Sequence, residues 1–269
     1  GGFDPTLRRV EDRDLWLRLA YRGCRMAWTP HVVCAYRMHR EQMVRDGRSQ
    51  KETMLAVLDK FFAQSDLPAD LLPERQGAYA AAYLSGAFRE YGAGQVDAAR
   101  QSLSRAIEGT PALMTGNIPP LAYTLISWAV DPVTGDPANY LNTVLANLPP
   151  NATRLRFMRR QLFGITALQA ALDATLVGNT AQAQHYLTTI VEREGELFDT
   201  PAQFAEAVVN LVRSLETPWQ LESVEALFDN LPDCCAHLRQ FRRKTIGRLY
   251  AAQAFENYEA GDLVKARDM

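Results

Sequence analysis

Cysteine is scarce: four residues in a chain of 269 cannot supply a disulfide framework, and a reducing cytosol is the compartment they suit. Two of them sit in Cys234-Cys235-Ala236-His237, where adjacent thiols cannot provide the spaced pairs of a structural zinc site. No charge of one sign dominates. Lys and Arg number 29 against 31 Asp and Glu, so the chain has no electrostatic footprint for nucleic acid and no polybasic anchor for a membrane surface. Apolar runs such as Leu162–Ile165 fall far short of the ~20 residues a transmembrane helix needs. Also missing are a Gly-x-Gly-x-x-Gly run, a Walker loop and a Gly-x-Ser-x-Gly elbow, which removes the sequence signatures of dinucleotide, P-loop and α/β-hydrolase sites.

What remains is an ordinary globular composition, 47% hydrophobic and 22% charged, with a change of character near residue 48. Before it the pattern is mixed. Gly2-Phe3-Asp4-Pro5 reads as a turn. A helix is expected from Glu11 to Arg22, with acids in its first turn and Gly23 closing it at C′. Two extended stretches should follow, Arg25–Trp28 and His31–Met38. From Ser49 onward nearly everything reads as helix, beginning with the capping box Ser49-Gln50-Lys51-Glu52. The apolar face behind it carries Met54, Leu55, Val57, Leu58, Phe61 and Phe62.

The helical part repeats itself. Gly94 is followed by Ala99, Leu103, Ala106 and Pro111; Gly178 is followed at the same offsets by Ala183, Leu187 and Ile190; Gly261 is followed by Ala266. These glycines are 84 and 83 residues apart, and Leu148-Pro149 and Arg159-Arg160 recur 83 residues on as Leu231-Pro232 and Arg242-Arg243. One period spans four helices, so each unit is a pair of helical hairpins. Within the first, Ala80, Tyr83, Leu84, Ala87, Phe88 and Tyr91 should face Val96, Ala99, Leu103 and Ile107. The Gly-x4-Ala-x3-Leu-x2-Ala-x4-Pro run resembles the second half of a tetratricopeptide repeat. That resemblance implies an α-solenoid of tetratricopeptide-like hairpins over residues 49–269, with a protein partner on its concave face.

The first 48 residues carry the chemistry. Gly1-Gly2-Phe3-Asp4, then Glu11-Asp12-Arg13-Asp14-Leu15-Trp16-Leu17-Arg18, then Tyr36-Arg37-Met38-His39 occur in that order. The series resembles the closing section of the catalytic domain of family-two inverting glycosyltransferases, nucleotide-sugar enzymes of the GT-A fold. The resemblance implies a short α/β remnant of that domain over residues 1–48, ahead of the mainly α remainder. It implies Asp12 as the base that takes the proton of an acceptor hydroxyl, kept ionised by the positive end of the helix dipole. Glu11, Trp16 and Gly2 would contact substrate, Trp16 by stacking on a sugar ring unless it belongs to the core. His39 would approach a divalent metal, magnesium or manganese, or the leaving diphosphate, unless it is an ordinary strand-end histidine. Asp12-Arg13-Asp14 matches an Asp-x-Asp metal signature only on paper, because residues two apart on a helix point away from each other.

The chain opens without Met or a signal peptide and closes in what reads as mid-helix, so it is expected to be an internal fragment of a longer bacterial cytoplasmic enzyme. On that reading the donor-binding half is elsewhere, and the fragment alone neither binds nucleotide sugar nor transfers it. The competing reading is a non-enzymatic helical scaffold for protein–protein interaction. Two lesser features complete the sequence. Arginines at 154, 156, 159 and 160 recur at 239, 242 and 243, a conceivable phosphate groove but more simply a solvated face. His185 reads as one more residue of an exposed helix.

Overall fold

The computed structural model describes residues 2–27, 47–194, 201–214, 221–259 and 261. Among them the chain is helical, with no strand: α1 (Glu11–Tyr21), α2 (Gly47–Phe62), α3 (Glu74–Gly92), α4 (Val96–Gly109), α5 (Pro120–Val130), α6 (Pro137–Ala146), α7 (Arg159–Leu176), α8 (Thr180–Glu194), α9 (Pro201–Ser214), α10 (Leu221–Asp229) and α11 (Arg242–Glu259). Tighter 3-10 segments lie between them, chiefly Pro150–Met158 and Asp233–Phe241. No helix among the described residues is long and apolar enough to cross a membrane.

Of the two expected strands, Arg25–Ala27 is irregular; Trp28 and the stretch His31–Met38 lie outside the described residues. The α/β character expected of the first 48 residues is therefore not seen where they are described. A turn forms two residues further on than expected, over Asp4–Leu7, the Leu7 N–H donating to the Asp4 carbonyl at 3.1 Å. α2 starts at Gly47, two residues before the expected cap. Ser49 thus lies inside the first turn, where its carbonyl accepts from the Thr53 hydroxyl at 2.8 Å.

The 83–84-residue period is a period of structure. α2, α6 and α10 end at Phe62, Ala146 and Asp229; α3, α7 and α11 end at Gly92, Leu176 and Glu259. Each member of the second series stops at a glycine with positive φ: 71° at Gly94, 73° at Gly178 and 80° at Gly261. The hydrogen bonds there explain the choice. The Gly94 N–H donates to the Tyr91 carbonyl at 3.0 Å and the Gln95 N–H to the Glu90 carbonyl at 2.8 Å; Gly178 and Asn179 repeat this on Thr175 and Ala174. These are Schellman closures, which need a left-handed residue at C′, and a side chain there costs roughly 1–2 kcal/mol. α1 ends the same way, on Gly23 with φ 75°. Burial follows the period too. Leu141, Val144, Leu148, Ala152 and Leu155 are buried, and so, 83 residues on, are Val224, Leu227, Leu231, Cys235 and Leu238.

Contacts divide the chain into two units: the described parts of Gly1–Leu121 with Thr143–Arg154, and of Ala122–Asn142 with Leu155–Met269. In the first, α1 packs on α2, α2 on α3, and α3 on α4. Ala87, Ala99, Leu103 and Ala106 are wholly buried, the small alanines allowing the backbones of α3 and α4 to approach closely, as their spacing predicts. In the second unit α7 packs on α8, α9 and α10, and α11 on α9 and α10. Every residue of α7 from Leu162 to Leu172 is buried, the pattern of a central helix.

Candidate active site

α1 opens unusually. Its N-cap is Val10, with φ 60° and ψ 16° and no side-chain acceptor to offer the first turn. A β-branched residue in left-handed conformation is strained, and burial of its side chain at 8% exposure holds it there. Three acids follow in the first turn, Glu11, Asp12 and Asp14, and their surroundings differ sharply.

Asp12 is exposed. One of its carboxylate oxygens accepts the Arg13 backbone N–H at 2.8 Å. Glu11 beside it is half-buried. Asp14 is buried at 3% exposure and is held by Arg18, whose Nε and Nη2 lie 2.8 and 2.7 Å away, and by Lys60 Nζ of α2 at 3.0 Å. Lys60 also meets Asp4 at 2.9 Å. Asp12 and Asp14 thus face different environments and do not form an Asp-x-Asp pair.

Asp4 is the hub of the preceding turn. The Thr6 N–H and hydroxyl donate to it at 2.9 and 2.6 Å. The Thr6 hydroxyl first, then the Lys60 ammonium and the Thr6 N–H, hold its carboxyl well below the usual carboxylate range. Lys60 is held above its ordinary value by Asp4 first and Asp14 second. Arg18 Nη2 also donates to the Gly2 carbonyl at 2.9 Å. Gly2 therefore anchors the N-terminal turn through its backbone, and a Cβ at that position would meet nothing within 4 Å.

Trp16, one turn on from Asp12, is 52% exposed. It lines a cleft of about 460 Å³ between α1, α2 and α3, with Ala20, Met54, Leu58, Ala78 and Ala82 among its walls. Arg13, Arg89 and Lys51 also line it, Lys51 with its charge committed to Glu90; Glu11 and Asp12 are not part of it. Gly1 and His39 lie outside the described residues. Among the described residues no group of three or more His, Cys, Asp or Glu is arranged to hold a metal ion. No step below is routed through the divalent metal that the resemblance implies.

One buried constellation had no sequence signal. Lys51 Nζ lies 2.7 Å from Glu90 Oε1 and 2.8 Å from Ser102 Oγ, and the Ser102 hydroxyl donates to Glu90 Oε2 at 2.7 Å. Glu90 is fully buried. The Lys51 stem reaches it by crossing Gly86, where an added Cβ would stand 2.5 Å from Lys51 Cδ. The triad ties α2, α3 and α4 together and exposes neither acid nor hydroxyl for chemistry.

The other candidates resolve into structure. Arg154 Nη2 donates to the Gly116 carbonyl at 2.8 Å, Arg239 to the Leu231 carbonyl at 2.8 Å, and Arg242 pairs with Asp229. Arg159 donates to Asn142 at 3.0 Å and lies over the Phe163 ring. These arginines have internal partners, which weighs against a phosphate groove. Cys235 is buried, and burial, with Cys234 beside it, pushes its thiol up to about 12. Compared with protein families, curated proteins and solved structures, the chain finds no match.

Proposed function

We propose that this chain belongs to a bacterial glycosyltransferase that moves a sugar from a nucleotide-sugar donor to an acceptor hydroxyl with inversion, residues 1–48 closing the catalytic domain and residues 49–269 forming an array of tetratricopeptide-like hairpins. The observation that carries the reading is the contrast within one helical turn: Asp14 is spent on anchoring α1, while Asp12 is left open to solvent. In the intact enzyme Asp12 takes the proton of the acceptor hydroxyl as its oxygen bonds to the anomeric carbon. The bond from that carbon to the diphosphate breaks, and the nucleoside diphosphate leaves with the electron pair. Glu11 orients the acceptor. Trp16 offers an exposed ring to a sugar face beside a largely apolar cleft. Strain at Val10 fits a site held in place by its surroundings.

The test is to incubate the intact protein with nucleotide sugars and candidate acceptors and to follow nucleoside diphosphate release and the anomeric configuration of the product. Release with an inverted product supports the assignment, and Trp16→Ala should then raise KM for the acceptor more than it lowers kcat. A retained configuration contradicts a single displacement. No release with any donor favours the second reading, a scaffold, which the recurrence of one four-helix unit supports independently.

A further inference from the structure

The first and second copies of the four-helix unit treat one location differently. In the first, Lys51, Gly86, Glu90 and Ser102 fill the space with an internal ion-pair network. Shifted by 84 residues, the same positions hold Gly135, Ala170, Ala174 and Tyr186. The long cation and its acid are gone, and a cleft of about 190 Å³ stands between the start of α6, α7 and α8. At the floor is Thr166, wholly buried, whose hydroxyl has no hydrogen-bond partner. Its counterparts in the other copies are Ala82 and Leu249, both buried. A hydroxyl has therefore been placed at an apolar core position and left unsatisfied, which disfavours the folded state unless a ligand group pairs with it.

The rest of the lining matches one kind of ligand. Gln182, His185 and Thr189 stand on one face of α8 at helical spacing and line the cleft with amide-, imidazole- and hydroxyl-bearing side chains, while Ala138, Ala170 and Tyr186 add apolar surface. No Lys or Arg lines it, so an anionic ligand has no counter-charge. Its carboxylate, Asp136, is occupied with capping α6, accepting the Ala138 and Asn139 N–H groups at 2.9 and 3.1 Å. Neutral donors and acceptors around small apolar patches complement a molecule with hydroxyls on its edges and C–H groups on its faces.

We propose that this cleft is a binding site for a small neutral polyhydroxylated molecule of monosaccharide size, with Thr166 as its deepest hydrogen-bonding group and Gln182 and His185 at its mouth. The site lies outside α1, so it stands or falls apart from the role of Asp12.

The full chain is titrated with glucose, galactose and mannose separately, and with glucose 6-phosphate as an anionic counterpart, by protein-detected NMR. Saturable shifts clustered at Thr166, Gln182, His185 and Thr189 are expected with at least one neutral sugar, at dissociation constants up to the tens of millimolar. Thr166→Val should weaken that binding about tenfold while leaving Tm unchanged or higher, since it removes an unsatisfied hydroxyl; Gln182→Ala should weaken it at a mouth position where folding is not at stake. No saturable shift with any of the three sugars would overturn the proposal. So would binding indifferent to both substitutions, or glucose 6-phosphate binding more tightly than glucose.

Discussion

Cys235 and Glu90 show how a single position is set by its neighbours rather than by its own chemistry. Cys235 takes the place that Ala152 holds one period earlier, both wholly shielded. It is a small packing residue, with burial holding the thiol protonated at neutral pH. Alkylation of the native chain should therefore label the exposed Cys24 and Cys234 well before Cys235, as mass mapping of the modified peptides would report. Equal labelling of Cys235 would mean that its packing is wrong. Glu90 is the reverse case, a charge where the second copy has Ala174. Removing one member of a buried pair leaves the other uncompensated, so Lys51→Met or Glu90→Ala should each cost about 3 kcal/mol in denaturant unfolding. The double change Lys51→Met with Glu90→Leu should recover much of that loss, because no charge is then left buried. Gly86→Ala should be costly as well, since its Cβ would collide with the Lys51 stem.

Among the elements, α1 and the turn before it are fastened to α2 by charge. They meet α2 through Asp14 and Lys60, through Asp4 and Lys60, and through an edge-on contact of Tyr21 with Phe61 at 6.1 Å. Asp4 has a depressed carboxyl, so its contribution is present above the ordinary 3.8 and fades as pH falls below it. Lys60 has a raised ammonium, so its contribution is present below the ordinary 10.5 and fades as pH rises through its folded value. Hydrogen exchange of the α1 amides, corrected for intrinsic rates, should be slowest between those limits and faster on both sides, while α3 and α4 change little. Lys60→Met should speed exchange in α1 between those limits.

Helices were readable where their ends and faces follow local rules. α1 stops at Gly23, and α3 and α4 meet through Ala87, Ala99 and Leu103 at the expected places. The start of α2 was not, because Ser49-Gln50-Lys51-Glu52 has the pattern of a capping box but lies within a helix already begun at Gly47. Nor was the role of Asp14: its i,i+4 spacing to Arg18 is visible in the sequence, but Lys60, 46 residues away, is supplied only by folding. The same holds for the Lys51–Glu90–Ser102 triad and for Thr166, whose significance lies in what fails to reach it.

For the chain as a whole, the periodicity is the strongest link between sequence and structure. Three kinds of marker share the 83–84-residue step: the left-handed glycines, the helix ends and the buried positions. A side chain at one of the repeated glycines should thus have a uniform penalty. Gly94→Ala and Gly178→Ala are each expected to lower unfolding free energy by about 1 kcal/mol, whereas Gly77→Ala, in an open stretch of helix α3, should be neutral or stabilising. A similar loss at Gly77 would mean that the helix closures are not what the glycines serve.

The functional account rests on a division of labour between two carboxylates of one helical turn, and they can be separated by experiment. Under the proposed function, Asp12→Asn and Asp14→Asn are compared in the intact protein for transfer rate, donor binding and thermal stability. Asp12→Asn should abolish transfer, with donor binding and Tm close to those of the parent. Asp14→Asn should lower stability by about 2 kcal/mol, through loss of charge-assisted bonds to Arg18 and Lys60, yet retain measurable transfer per folded molecule. Full transfer activity in a stably folded Asp12→Asn enzyme would contradict the account.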